Sequence, residues 1–430
     1  MAPGPRPLYA SRRHDMRTPA QPAVLAPRYR NPVRVLVLHR NFRLFWFGQT
    51  GSLVGTWMQS VAVGWLALEL TDSAFMVGFV SAAGSLPVLL LTLYAGAVAD
   101  RRDKLVMVKV TQSLLLVQAA LLWYMDWSGH ITISWLVFLS LLGGMINAFD
   151  IPARQSLIIE LVARDDLVDA IALNSTGFNL ARIIGPAIAA IVIDRAGLAW
   201  CFALNALSYL LVLIGLMLIR LPAKMLPRLG GSPVQGMLEG LAYMFRTKEV
   251  ALLMSLVAVY SVFGIPYLVL MPVVARDTLH AGASGYAVLL AAVGFGAVVG
   301  AVTLATLGHR VRRGRLLAGA AYAFCAVLIA FAASRNLRFS AALLFAVGLT
   351  MILNNALTNG LLQTISPDSF RGRVMSAYAF VFVGLGPVGS LLGGAVASAF
   401  SAPIAVAAGA TVMLLFSIWL FTARPELRRL

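Results

Sequence analysis

The sequence predicts an all-α integral membrane protein: twelve transmembrane helices in two pseudo-symmetric six-helix halves. Three observations predict it. Of 430 residues, 60% are hydrophobic and only 12% charged. The mean hydropathy is +0.85. The apolar residues also fall into twelve runs of about 20, the length a bilayer-spanning helix needs. A soluble domain runs about 45–50% apolar and about 25% charged, so a soluble enzyme is excluded. A β-barrel would alternate in segments of about ten residues, which these continuous runs do not.

The chain opens with a tail, residues 1–41, carrying seven of the 19 prolines and eight arginines within residues 1–40 and no long apolar run. That composition predicts a disordered basic tail able to touch anionic lipid. Six spans follow over 42–220, at about 43–69, 74–98, 105–125, 131–153, 170–193 and 198–219. A linker, 221–248, starts with Pro222, Pro227 and Pro233, then sets Met237, Leu238, Leu241 and Phe245 at helical spacing. It reads as an amphipathic helix on the inner surface. Six more spans occupy 249–423, at about 250–275, 283–308, 316–333, 339–361, 374–397 and 403–422, and 424–430 forms a short tail. Trp123, Trp127, Trp135 and Trp200 fall near span ends, as an interfacial belt would.

An even span count puts both termini on one side. Taking that side as cytoplasmic collects 29 of the 34 basic residues in its tails and loops. The opposite loops hold only Arg195, Arg276, Arg335 and Arg338, and Arg182 lies within a span. The net charge of +17 is therefore a topology signal, not a nucleic-acid footprint. Both termini are expected in the cytoplasm.

Several chemistries are excluded. Cys201 and Cys325 sit in separate apolar runs, and the five histidines are scattered, so neither a disulfide framework nor a metal site is implied. Gly384-x-Gly386-x-x-Gly389 fits a dinucleotide fingerprint but lies inside a span without the required strand. No nucleotide-binding G-x-x-x-x-G-K-[ST] sequence occurs, so direct ATP drive is not expected, and no cofactor is called for. Ser11-Arg12-Arg13 lacks the apolar region of an export signal, and the Asn174-Ser175-Thr176 sequon falls within a span.

The halves read as repeats. VADRRDK at 98–104 has its counterpart in LGHRVRRGR at 307–315, and Gly185-Pro186 in span five matches Gly386-Pro387 in span eleven. Two six-helix repeats joined by a central linker are the architecture of a secondary transporter holding substrate between them. The order of these motifs resembles the major facilitator superfamily. FRLFWFGQTGSLVGTWMQSVAVGWLALELT (42–71), FDIPARQSLIIELVARDDLVDAIALNSTGFNLARIIGPA (149–187) and RGRVMSAYAFVFVGLGPVGSLLGGAVA (371–397) resemble its enterobactin-exporter and transmembrane-secretion-effector branch. The resemblance implies a proton-driven or otherwise ion-coupled exporter in the bacterial inner membrane, whose cargo varies within that branch.

Four groups of residues are candidates for mechanism. The first is a cytoplasmic gate. Gly96-x-x-x-Asp100-Arg101-x-x-Lys104 resembles the superfamily's loop signature, with Asp103 and Leu105 departing from it. Asp100 is placed to accept from the N–H groups opening span eleven, around Met375 and Ser376, beside Arg371 and Arg373. Arg101 or Lys104 would then reach Asp150, while His309 stands where the second half would need an acid. The second is Arg182, mid-span, where an arginine costs at least about 2.5–3.5 kcal/mol and must face protein or water. Ser175, Asn179 and Arg182 share one helix face. Arg182 either attracts an anionic cargo or bonds helix carbonyls. The third group is polar: Gln49, Ser52, Thr56 and Gln59 stripe span one, and Asn355 and Asn359 share a face of span ten. These either line the cavity or glue helices. The fourth is Gly185-Pro186, which resembles the superfamily's antiporter motif and would bend span five.

The resulting expectation is an alternating-access exporter of a small amphipathic or anionic compound such as a siderophore, drug or secondary metabolite, coupled to H+. A lysophospholipid or other lipid transporter is the alternative on this fold. A non-transporting membrane sensor or assembly partner is the alternative from another class.

Overall fold

The computed structural model describes residues 33–221, 242–307 and 312–428. The basic tail before Val33, Met237, Leu238 and Leu241 of the linker, and His309 lie outside the described residues. So does the side chain of Asp100.

Among the described residues, twelve helical segments are long and apolar enough to cross a membrane. In the first half these are α1 (Arg40–Thr71), α2 (Ala74–Arg101), α3 (Lys104–Trp127), α4 (Ile133–Leu161), α5 (Leu167–Ala196) and α6 (Leu198–Met217). In the second, α7 is composite: Lys248–Val259, a π turn at Tyr260–Gly264, Pro266–Val273 and a further π turn at Val274–Thr278. Then come α8 (Gly282–Leu307), α9 (Arg313–Ala333) and α10 (Leu337–Ile365). Helix α11 runs as Asp368–Gly384 and Gly386–Ala399, interrupted at Leu385, and α12 is Ala402–Ala423. A short helix, Val33–Leu38, precedes α1.

Short polar side chains start several of these helices by accepting otherwise orphaned N–H groups. Asp103 Oδ1 accepts from Val106 at 3.0 Å, and Asn336 Oδ1 accepts from Arg338 and Phe339 at 3.0 and 3.1 Å. The α1–α2 reversal is closed by Asp72 in the left-handed region (φ 51°), and the α5–α6 reversal by Gly197 (φ 93°).

Two helices differ usefully from the sequence expectation. Helix α4 continues past the predicted end at 153 to Leu161, and α11 begins at Asp368 rather than 374. Hydropathy detects where lipid ends; these helices simply extend beyond it with charged faces. The N–H groups of Met375 and Ser376 are therefore inside α11 rather than at its start. The residues that open it are bonded instead to Pro367.

The halves repeat their packing. Helix α2 packs on α4 as α8 packs on α10, and α3 packs on α6 as α9 packs on α12. The halves meet mainly along α2 with α11 and along α5 with α8, which are pseudo-equivalent seams. At the face away from the chain termini they share one apolar core, in which Leu68, Val77 and Phe202 join Tyr267, Met271 and Leu289. At the terminal face the core divides in two. Phe42, Leu157 and Leu216 belong to one cluster, and Leu253, Leu317 and Leu361 to the other. The bundle is thus closed at one end and parted at the other.

Polar contacts reinforce the closed end. The Phe75 N–H on α2 donates to Ser398 Oγ on α11 at 2.8 Å. Arg276, at the end of α7, pairs with Asp72 across the halves and with Asp277 beside it at 2.6 Å. Large apolar side chains such as Leu90, Ile191 and Leu211 point outward and are exposed, as lipid-facing residues should be.

The paired Gly-Pro motifs are not equivalent in packing. A Cβ at Gly185 would stand 2.8 Å from the Val54 carbonyl and against Trp57, whereas a Cβ at Gly386 would meet nothing within 4 Å. Gly185→Ala is expected to push α5 off α1 and lower stability by about 1–3 kcal/mol. Gly386→Ala should leave it within about 0.5 kcal/mol. Thermal unfolding of the detergent-solubilised variants checks this, and equal shifts would contradict it.

Candidate functional site

One cavity, 760 Å³, opens at the closed face beside Asp72, Arg276 and Arg335. A smaller one, 430 Å³, matters more to transport because both halves build it at mid-helix depth. Thr56, Gln59, Gln118 and Asn147 come from the first half, Leu268 and Tyr286 from the second. It shares Thr56, Trp57, Ser60 and Asn147 with a 410 Å³ chamber that continues to Arg154, Gln155 and Asn174. Together they lead from the middle of the bundle toward its parted end.

The polar stripe of α1 faces inward, as its spacing suggests. Gln49 and Ser52 are buried. Thr56 Oγ1 donates to the Ser52 carbonyl at 2.9 Å and lies 3.2 Å from the Tyr209 hydroxyl on α6. Gln59 both lines the cavity and ties helices together. Its Oε1 accepts from Asn205 Nδ2 at 2.8 Å, and its Nε2 donates to Gln118 Oε1 at 3.2 Å. Gln118 passes the chain on to the Leu139 carbonyl at 3.1 Å. Asn205 and Tyr209, one turn apart on α6, and Gln118 on α3 were missed in the sequence because their contacts with α1 run between helices, which spacing within one span does not encode.

Asp150 is fully buried. Thr111 Oγ1 and Gln112 Nε2 donate to its Oδ1 at 2.7 and 3.0 Å. Its other oxygen lies 2.5 Å from Arg154 Nε, one turn along α4. Lys104 instead pairs with Glu160, at 3.3 Å. The expected bridge from Lys104 to Asp150 is thus replaced by two pairs. The reason is the longer α4, which brings Glu160 level with the first turn of α3. Arg101 is exposed. Across the parted end, Arg371 Nε donates to the Gln363 carbonyl at 3.0 Å, and the Arg373 guanidinium stands 5.1 Å from the Phe370 ring.

Arg182 is half-buried at the α5–α8 seam. Its Nη2 lies 3.5 Å from Met351 Sδ on α10, so the guanidinium crosses from the first half to the second. Tyr267 directs its hydroxyl at the same sulfur, at 3.7 Å. A thioether is a weak acceptor. Among the described residues no carboxylate lies within ion-pair distance of Arg182. Its expected companions turn elsewhere: Ser175 is exposed, and Asn179 Nδ2 donates to the Ser175 carbonyl at 2.8 Å. On α10, Asn359 Oδ1 accepts from Gln363 at 2.6 Å, and Asn355 lines a small cavity with Tyr260 and Tyr378. Asn354, which the spacing argument passed over, is the more buried of the adjacent pair.

A family model described as transmembrane secretion effector matches residues 35–428. The multidrug efflux pump Tap of Mycolicibacterium fortuitum is 26% identical over 87% of this chain and 93% of that protein. The enterobactin exporter EntS of Escherichia coli is 24% identical over 92% of this chain and 94% of that protein. The staphyloferrin A transporter of Staphylococcus aureus is 28% identical over 37% of this chain and 41% of that protein. Among solved structures, the peptide transporter POT superposes with a TM-score of 0.72 at 12% identity, covering 94% of this chain and 99% of that one. The D-xylose-proton symporter gives 0.69 at 14%, covering 93% and 100%. At such identities the structures establish the fold alone: it is that of major facilitator transporters.

The buried ion pair yields a direct test. Arg154→Met would strand the Asp150 carboxylate and should lower stability by about 3–5 kcal/mol. Adding Asp150→Asn should recover much of that loss, because the uncompensated charge disappears. A double-mutant cycle by denaturation in mild detergent measures the coupling. Purely additive losses would mean that the two side chains do not act as a pair.

Proposed function

Because the chain belongs to the transmembrane secretion effector family of major facilitator transporters, we propose that it exports a small amphipathic or anionic compound from the bacterial cytoplasm by alternating access, coupled to H+. The relatives named above as a siderophore exporter, a siderophore transporter and a drug efflux pump support outward movement of such cargo. The observation that carries the reading is the mid-helix cavity built by both halves, which leads toward the parted end of the bundle. We assign that end to the cytoplasm because its loops and tails hold 29 of 34 basic residues.

Each candidate residue takes a part in this reading. Arg182 supplies the attraction for a negative group: an arginine without a carboxylate partner, at a seam between halves, leaves its charge available to cargo. Asp150 is the candidate proton carrier. Its carboxylate is buried, accepts from Thr111 and Gln112, and pairs with Arg154, which lines the chamber. Asp100, with Arg371 and Arg373, forms the gate at the cytoplasmic end. The Arg276–Asp72 pair holds the opposite end shut until cargo arrives.

Proteoliposome uptake of charged and neutral analogues tests the role of Arg182. Arg182→Lys keeps the charge but loses the planar fork, so affinity for an anionic cargo should fall about tenfold. Arg182→Ala should weaken anionic cargo further and spare its neutral analogue. Equal losses for both analogues, tracking a fall in melting temperature, would make Arg182 structural only.

A further inference from the structure

Several mid-helix polar groups satisfy one another, as Asn205, Gln59 and Gln118 do, and Thr111 and Gln112 with Asp150. Among the buried side-chain atoms without a partner, which include Gln49 Oε1 and Gln112 Oε1 in the first half and Ser417 Oγ in the second, two face a common space. Tyr260 Oη and Asn354 Nδ2 have no hydrogen-bond partner, although their residues are only 3% and 4% exposed. Both line the same cavity, about 10 Å³ in size, which has room for a single oxygen atom. An unpaired buried polar group is costly, so two facing one cavity are a standing cost that a ligand atom would remove.

The surrounding backbone is irregular at this same place. Tyr260 opens the π turn of α7, a distortion that recurs at functional sites. Next to it, Ser261 Oγ donates at 2.8 Å to the Phe382 carbonyl, just before the interruption of α11 at Leu385. Three rings form a column over the cavity. Phe382 stacks on Tyr260 with centroids 6.3 Å apart and planes 11° apart, and on Tyr378 at 5.9 Å and 6°. Along α10, Met351 lies one turn from Asn354 on the same face, and Met351 is the residue that Arg182 reaches. A buried amide donor and a phenol thus face one cavity beside stacked rings, and the Arg182 guanidinium contacts a residue one turn away along α10.

We propose that Tyr260 and Asn354 hold an acceptor oxygen of the cargo, a carboxylate or carbonyl carried on a flat unsaturated ring. The inference deepens the export reading above and rests on it for the word cargo. The available groups are donors or can act as donors, so the complementary ligand atom is an acceptor. The ring column selects a planar body beside it.

The test is equilibrium binding to the full-length protein in detergent, using 2-naphthoate and 2-methylnaphthalene as probes, with melting temperature measured on each variant. Tyr260→Phe and Asn354→Leu should each weaken 2-naphthoate about tenfold and leave 2-methylnaphthalene unchanged. Each should also hold or raise the melting temperature without ligand, because an unpaired polar atom has been removed. A merely structural role would lower it. If Asn354→Leu is not recovered folded, Tyr260→Phe alone decides. Unchanged naphthoate affinity, or no naphthoate binding by the parent protein, overturns the proposal. Transport is scored separately in vesicles: naphthoate binding that depends on these residues, without net export, would sustain the site and sink the export reading.

Discussion

A hydrocarbon layer offers no water, so every polar group within it must find a partner inside the protein. The rest of this structure depends on that constraint. It makes the backbone helical throughout the spans. It draws Gln59, Asn205 and Gln118 into one chain, and it surrounds the Asp150 carboxylate with Thr111, Gln112 and Arg154. Where the constraint is met, the side chains hold helices together. It is left unmet at several buried atoms, and at Tyr260 and Asn354 two of them line one cavity.

The same constraint separates sequence symmetry from functional symmetry. Matching helix pairs build the two halves, yet the Gly-Pro motifs differ: Gly185 is pressed against α1, and Gly386 has free space around it. The first half keeps its six spans as unbroken helices, while the other carries π turns and an interrupted helix. A rigid half moving against a more adaptable one suits a transporter that must close around different faces of one cargo.

Much of this was legible in the sequence. The twelve spans follow from hydropathy. The limits were physical. Hydropathy could not see that α4 and α11 extend past the lipid, so Lys104 was matched with Asp150 rather than Glu160. Periodicity put the α1 stripe on the inner face but could not name Asn205 or Tyr209, which lie in another span. Arg182 stood out as a charge, but its approach to Met351 is a long-range contact that no local pattern encodes. The π turn at Tyr260 has no sequence signature at all.

The central claim is that the halves are joined at one face and parted at the other, and that this arrangement inverts during transport. Spin labels test it most directly, since the native Cys201 and Cys325 are buried. One pair, Arg102→Cys with Arg313→Cys, reports the parted face; another, Ser128→Cys with Arg338→Cys, reports the closed face. Distances would be recorded by pulsed electron resonance in lipid nanodiscs, with and without exported compound. The account expects the first distance to shorten and the second to lengthen together when compound is added. Distances that stay fixed at both faces while the same nanodisc sample binds the compound would contradict it.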